Sequence, residues 1–289
     1  MHTPYDGSSR LFAIGLKPLE ASAWIDADDR LASNLALKEQ RAAARWDEVF
    51  AAESDTEAAQ AEVLALLAEH LPARFPEIYR LENGAISVAG RRVLLDGTPA
   101  LWTAARLVQE DLVLMRRGDA GWRLTAAALC FPSSWRLAEK FGRPIHEVHA
   151  PVPGFAAGTR NAELIARMFD NMRPEMPMIR WNWSVYGDAE LFHPHNSPAR
   201  RFGSGARADN VFLRVERQTL RLLPQSRDIL FTIRIIVDPL DALERHSDAA
   251  RIAVALIEQL GAFNAEQLDY KGMTLERDRL VTRLREIAG

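Results

Sequence analysis

The 289-residue sequence holds a single cysteine, Cys130. No disulfide can close within the chain, and four-cysteine zinc sites and four-cysteine iron–sulfur clusters are excluded. A lone thiol suits a reducing compartment. No apolar run reaches the ~18 residues of a membrane span, and the stretch from Ile229 to Val237 is broken by Arg234. The opening ten residues lack the apolar centre of a signal peptide. Neither sign of charge dominates: 36 Lys and Arg against 39 Asp and Glu give −3. A protein that holds nucleic acid by counterion release needs a concentrated basic face. The expectation is a soluble cytoplasmic protein with no nucleic-acid or membrane partner. There is no P-loop lysine motif and no HExxH. Gly203, Gly205 and Ala208 imitate the start of a dinucleotide fingerprint, but the segment before them, Pro194 to Arg201, reads as a loop and not a strand. No nicotinamide or flavin site is expected in this chain.

What is present is ordinary globular material, 48% hydrophobic and 26% charged. A chain of this length buries roughly three quarters of its unfolded surface. Leu31 to Glu53 is rich in strong helix formers, and Asp55 to Leu71 repeats the pattern with Pro72 as a stop. Around residue 84 the composition shifts. Gly84 to Val88 and Arg91 to Leu95 read as a hairpin. Arg106 to Met115 and Trp122 to Phe131 read as two strands joined by a glycine turn. Ser133 or Ser134 is expected to cap a short helix through Phe141, closed by Gly142. Ile145 to Phe155, with three prolines, reads as a stiffened loop. Asn161 to Asn171 reads as a helix. Arg180 to Val185, Val211 to Arg217 and Ile229 to Ile236 read as strands, with a loop over residues 192–210 and helices from Pro239 onward. Strands and long helices do not alternate regularly, so the fold class is α+β with an antiparallel sheet. We expect one domain over residues 1–289, with helical extensions at 11–72 and 239–289.

Alternation along a strand sorts the chemistry. In Arg180-Trp181-Asn182-Trp183 the two tryptophans share one face and Arg180 and Asn182 the other. The segment is either a core strand with a polar outer face or the wall of a pocket. In Arg214 to Pro224, Arg214, Glu216 and Gln218 fall on one side and Arg217, Thr219 and Arg221 on the other. Glu216 either pairs with an arginine or meets a substrate ammonium or a proton. The arginines are suited to gripping carboxylates. Gln109-Glu110-Asp111 offers a second acidic candidate. Of the seven histidines, His2 at the start of the chain, His70 near a helix end and His246 at a polar helix start read as ordinary, which leaves His146, His149, His193 and His195. A zinc pair at His146 and His149 is disfavoured by Pro144 and Pro151, which break a long helix. A single imidazole in a proline-stiffened bend suits an axial ligand, and a structural or surface histidine remains the competing reading.

Taken in order, Gln109-Glu110-Asp111-Leu112, Phe131-Pro132-Ser133-Ser134-Trp135, Lys140-Phe141-Gly142, Val148-His149-Ala150-Pro151-Val152-Pro153-Gly154, Arg180-Trp181-Asn182-Trp183, Glu216-Arg217-Gln218-Thr219-Leu220 and Phe231-Thr232-Ile233-Arg234 resemble the heme-dependent oxidative N-demethylase alpha-subunit-like family. Gly15-Leu16-Lys17-Pro18 with Trp24 and Asp269-Tyr270-Lys271-Gly272 extend the likeness over about residues 11 to 285. The resemblance implies a PAS-like antiparallel sheet wrapped by helices and binding heme b. It implies oxidative removal of a methyl group from a small methylated amine such as dimethylamine, with dioxygen consumed and formaldehyde released. Electrons would come from a separate reductase subunit with FMN and an iron–sulfur cluster. It implies His149 as iron ligand, with His146, His193 and His195 as alternatives. It implies Arg180, Arg217 and Arg221 at the propionates, Trp183 in the pocket wall and Glu216 at the amine. Phe155 stands where tyrosine is as often expected. Two other readings compete: a non-catalytic PAS-like sensor of heme or another small ligand, and a colourless hydrolase using His149 and Glu216.

Overall fold

The computed structural model describes residues 1–195, 202–203 and 205–289. Residues 196–201 and 204 of the loop expected at 192–210 lie outside the described residues. In chain order the elements are β1 (Lys17–Pro18), α1 (Leu31–Val49), β2 (Phe50–Ala52), α2 (Glu57–Arg74), β3 (Tyr79–Glu82), β4 (Ala85–Val88), β5 (Arg91–Leu94), α3 (Ala100–Ala105), β6 (Asp111–Gly118), β7 (Gly121–Ala128), α4 (Leu137–Lys140), α5 (Ile145–Val148), α6 (Arg160–Asp170), β8 (Met178–Tyr186), β9 (Phe212–Leu222), β10 (Ile229–Pro239), α7 (Leu240–Glu244), α8 (Ala249–Gly261), α9 (Ala265–Tyr270) and α10 (Arg277–Ala288).

The main sheet has seven strands in the order β1-β8-β9-β10-β6-β7-β2, and every pairing is antiparallel. Its centre is a hairpin, β6–β7, and a meander, β8–β9–β10, whose last strand returns beside β6. The β6–β7 turn needs only Asp119 and Ala120, because Gly121 takes φ +96° and closes it without a Cβ penalty. The crossover from β7 to β8 carries α4, α5 and α6. A separate three-stranded sheet, β3-β4-β5, extends the expected hairpin by one strand.

One face of the main sheet carries two apolar cores. The first joins Leu112, Leu114, Ala126 and Ala128 of the sheet to α1, α2, α3 and the small sheet. The second joins Trp183, Val185, Leu213, Val215 and Ile236 to α7, α8 and α10. Between them the central strands bear Arg217, Thr219, Arg221, Thr232 and Arg234. The segment around Trp24 to Asp28 crosses this polar seam. Arg217 donates to the Trp24 carbonyl at 3.0 Å and to the Ala23 carbonyl. Arg234 pairs with Asp28 at 2.8 Å.

The α+β class and the antiparallel sheet agree with the sequence reading, and several local expectations are corrected. Pro72 lies inside the last turn of α2 and does not stop it; the helix runs to Arg74 and the Leu71 carbonyl accepts from Phe75 N. The strand expected from Arg106 begins at Asp111, because α3 and a tight buried turn occupy the preceding residues. Ser133 and Ser134 do not cap α4, whose N-cap is Arg136, boxed by Glu139. Within the stiffened segment, Ile145–Val148 makes one helical turn after Pro144. Gly142 does close α4, with φ +75° and its N–H on the Leu124 carbonyl.

Candidate functional site

The opposite face of the sheet forms the floor of a cavity of about 330 Å³, within the ~300–1,000 Å³ range of ligand pockets. Register decides its character. At one end, Met115 and Leu124 stand beside Ile229 and Leu222. The next rung holds Val113, Phe231 and Leu220. Moving along the strands, Arg180 faces Gln218, which faces Ile233. Asn182 then faces Glu216, and Ser184 and Tyr186 follow on β8. The floor is therefore apolar at one end and polar at the other. Phe12, Ile14 and Leu16, the bend after α5, Ile165 and Phe169 of α6, and Tyr270 complete the walls.

His149 lies at the foot of α5. Its N–H bonds the Ile145 carbonyl at 3.0 Å, and its own carbonyl accepts from Val152 N at 2.8 Å. Pro144 before the helix and Pro151 after it fix the approach of the chain. The ring lines the cavity edge-on to Phe155, with centroids 6.1 Å apart. It makes no hydrogen bond to any described residue. Burial, reinforced by the positive charges of Lys140 and Arg180, pulls its pKa down to about 3. The imidazole is neutral at neutral pH, and its unprotonated nitrogen is uncommitted.

Glu216 is 8% exposed and lines the cavity. Gln218 Nε2 donates to its Oε2 at 2.6 Å, which fixes the carboxylate. Arg180 lies on the neighbouring strand. Its only hydrogen bond to a described residue is a long one, 3.4 Å, to the Ala13 carbonyl, and its buried Nε has no partner. Burial pulls the guanidinium below its ordinary value, with Glu216 opposing.

These three sequence-chosen residues meet in one cavity. Arg217, Arg221 and Trp183 do not join them. Arg217 and Arg221 point to the other face of β9, where Arg217 ties down the Trp24 turn and Arg221 stacks 4.6 Å over the Trp24 ring. Trp183 is in the second core, stacked on Phe263. The strand alternation was read correctly, but the hollow lies on the Arg180 and Asn182 side; Trp135 is the tryptophan that lines it. The other histidines are elsewhere. His146 is on α5 outside the cavity lining, His193 Nε2 sits 3.1 Å from Asp188, and His195 is exposed. Glu110 and Asp111 are buried: Asp111 accepts from Cys130 N and Phe131 N, and Glu110 from Asp26 N. Cys130 is buried and its thiol is pushed up to about 12, so it is no nucleophile.

Residue type alone missed Lys140, which the sequence showed only within a short motif. It ends α4 and lines the cavity, its Nζ 4.5 Å from the Trp135 ring centre. Burial pulls its pKa down to about 8, with Glu216 and Glu139 opposing. Tyr186 and Tyr270 supply the phenols that Phe155 does not.

Among the described residues no group of three or more His, Cys, Asp or Glu is placed to hold a bare metal ion. The donor set instead suits a metal that arrives within its own macrocycle. Such a ligand needs an apolar bed, one neutral imidazole and cations for its carboxylates. The cavity has the bed on β6, β7 and β10, an uncommitted His149 and a guanidinium with an orphaned buried N–H.

A family model described as haem-dependent oxidative N-demethylase, alpha subunit-like, matches residues 15–281. That span contains the cavity lining from Leu16 to Tyr270; Phe12 and Ile14 lie just before it. The chain belongs to the haem-dependent oxidative N-demethylase, alpha-subunit-like family.

Proposed function

We propose that this chain, acting as one unit over residues 1–289, binds heme b in the cavity and oxidatively removes a methyl group from a small methylated amine such as dimethylamine. Formaldehyde would leave, and electrons would come from a partner reductase subunit with FMN and an iron–sulfur cluster. The family description supports heme chemistry and an N-methylated substrate, and its alpha-subunit wording supports a partner. One buried cysteine leaves a four-cysteine cluster to that partner. The hairpin-then-meander order of the five central strands, with the helical crossover between them, supports a PAS-like reading.

The observation that carries this reading is His149, a neutral imidazole with no hydrogen bond to a described residue, held by its backbone beside an apolar cavity. His149 would be the axial ligand and Arg180 would face a propionate. Heme, when bound, supplies the activation of dioxygen. Glu216, fixed by Gln218, offers its other oxygen to the charge of an ammonium. The apolar rungs at Val113, Leu220 and Phe231 keep water from the reacting carbon.

The test is reconstitution with heme b, an absorption spectrum, and formaldehyde assays on several methylamines with a reductant. A Soret band in the wild type, its loss in His149→Ala, and formaldehyde from at least one amine are expected. No Soret band in the wild type overturns the proposal. A Soret band without turnover on any amine would select the sensor reading.

A further inference from the structure

Lys140 enters the cavity as a charge that the walls do not neutralise. Its ammonium rests against the face of Trp135, a cation–π contact that holds it in place. It makes no hydrogen bond or ion pair to a described residue. The acid beside it on α4, Glu139, is taken by Arg136, with Arg136 Nε donating to Glu139 Oε1 at 2.7 Å. Glu216 is bonded to Gln218. Arg180, on β8, has an orphaned buried Nε and one long bond to a carbonyl.

The cavity lining thus carries two cations, Lys140 and Arg180, and two carboxylates, Glu216 and Glu139; Glu139 is paired with Arg136, which leaves Glu216 as the counter-charge to both cations. An excess positive charge among apolar walls is costly without a counter-charge. An anionic ligand offsets that cost by direct pairing. The chemistry that matches two such donors is a pair of carboxylates on an otherwise apolar body.

We infer that Lys140 and Arg180 together grip the carboxylates of the porphyrin, Lys140 taking the place that the family resemblance implied for Arg217 or Arg221. This inference rests on the heme reading and assigns a ligand-binding role to a residue that sequence alone left without one. It also fixes an order. Without such a ligand the excess positive charge repels an ammonium; a ligand with two carboxylates offsets that excess and leaves Glu216 free to attract the amine.

The experiment titrates hemin and hemin dimethyl ester, in which both carboxylates are masked, into wild-type protein, Lys140→Met and Arg180→Met, following the Soret band. Wild type should prefer hemin over the ester by about tenfold or more, the scale of one charge-assisted contact. Lys140→Met should lose roughly tenfold for hemin with little change for the ester, and Arg180→Met should behave alike. Equal wild-type affinities, or equal losses for both ligands in Lys140→Met, would overturn the carboxylate grip while leaving heme binding intact. Binding of neither ligand to wild type overturns both readings. Thermal melts of the ligand-free variants separate a lost contact from a lost fold, since a misfolded variant loses the ester as well.

Discussion

At the scale of single residues, Lys140 gives the sharpest pH signature. Its pKa in the ligand-free protein is pulled down to about 8, burial outweighing the opposing pull of Glu216 and Glu139. The other titratable or charged groups lining the cavity are Arg180 and Tyr186 on β8, Tyr270 at the end of α9, and His149 after α5, which is neutral above about pH 3. A bound carboxylate raises the pKa of the ammonium, so binding takes up a proton once the free lysine has lost its own. Hemin affinity should therefore be flat below pH 8 and fall as pH rises above it. The fall should vanish in Lys140→Met and for the dimethyl ester. A wild-type affinity unchanged between pH 7 and pH 9.5 would contradict this. The same lysine makes ligand-free stability rise from pH 8 toward its unfolded value near 10.4, because there the unfolded chain binds the extra proton.

Residue identities also show what a sequence can display. Period-two alternation separated Glu216 and Gln218 from Arg217 and Arg221, and Arg180 from Trp183, and the structure keeps both separations. Alternation is relative, however. It cannot say which face is hollow, because that depends on what covers the sheet. The tryptophan face turned out to be sealed by α8 and Phe263, so the aromatic pattern pointed away from the cavity. His149 was legible because proline brackets it. Lys140 was not, because its weight comes from the fold, which lays it on Trp135 and brings Arg180 and Glu216 of distant strands to the same cavity.

At the scale of elements, strong local signals survived and weak ones yielded to packing. β8, β9 and β10 carry β-branched and aromatic residues over nine to eleven positions and were visible. β1 has two residues, is exposed, and exists only because Lys17 and Pro18 pair with Ile179 and Met178. No local propensity could reveal it. That short pairing belongs to the N-terminal segment, which contributes Phe12 to Leu16 to the cavity and then crosses the back of the sheet to Trp24. Arg217 is the staple on that back face. Arg217→Met would remove charge-assisted bonds to two carbonyls and a charge that Glu110 and Asp26 both feel. The expected cost is about 1–3 kcal/mol, read as a lower urea midpoint at unchanged slope. Hemin affinity should stay within about twofold of wild type, because Arg217 lies on the far side of the sheet. A tenfold loss of hemin affinity with normal stability would return Arg217 to the ligand.

At the scale of the molecule, the cavity is a product of the whole fold. Its walls come from Phe12 near one end of the chain and Tyr270 near the other, whose rings meet edge to face at 5.9 Å. An unfolded chain cannot assemble such a site, so a ligand held there binds the folded state alone and must stabilise it. With free hemin at 100 times its dissociation constant, the gain is about 2.7 kcal/mol. For a protein of this size that is a rise in Tm of roughly 4 °C. The rise should grow with hemin concentration, be nearly absent in His149→Ala, and be weakened but present in Lys140→Met. Arg217→Met should melt lower without ligand and still gain the full increment, because its defect lies in the polar seam and not in the cavity. An equal increment in His149→Ala would mean that hemin is held elsewhere, and that the bend after α5 is a wall and not the ligand.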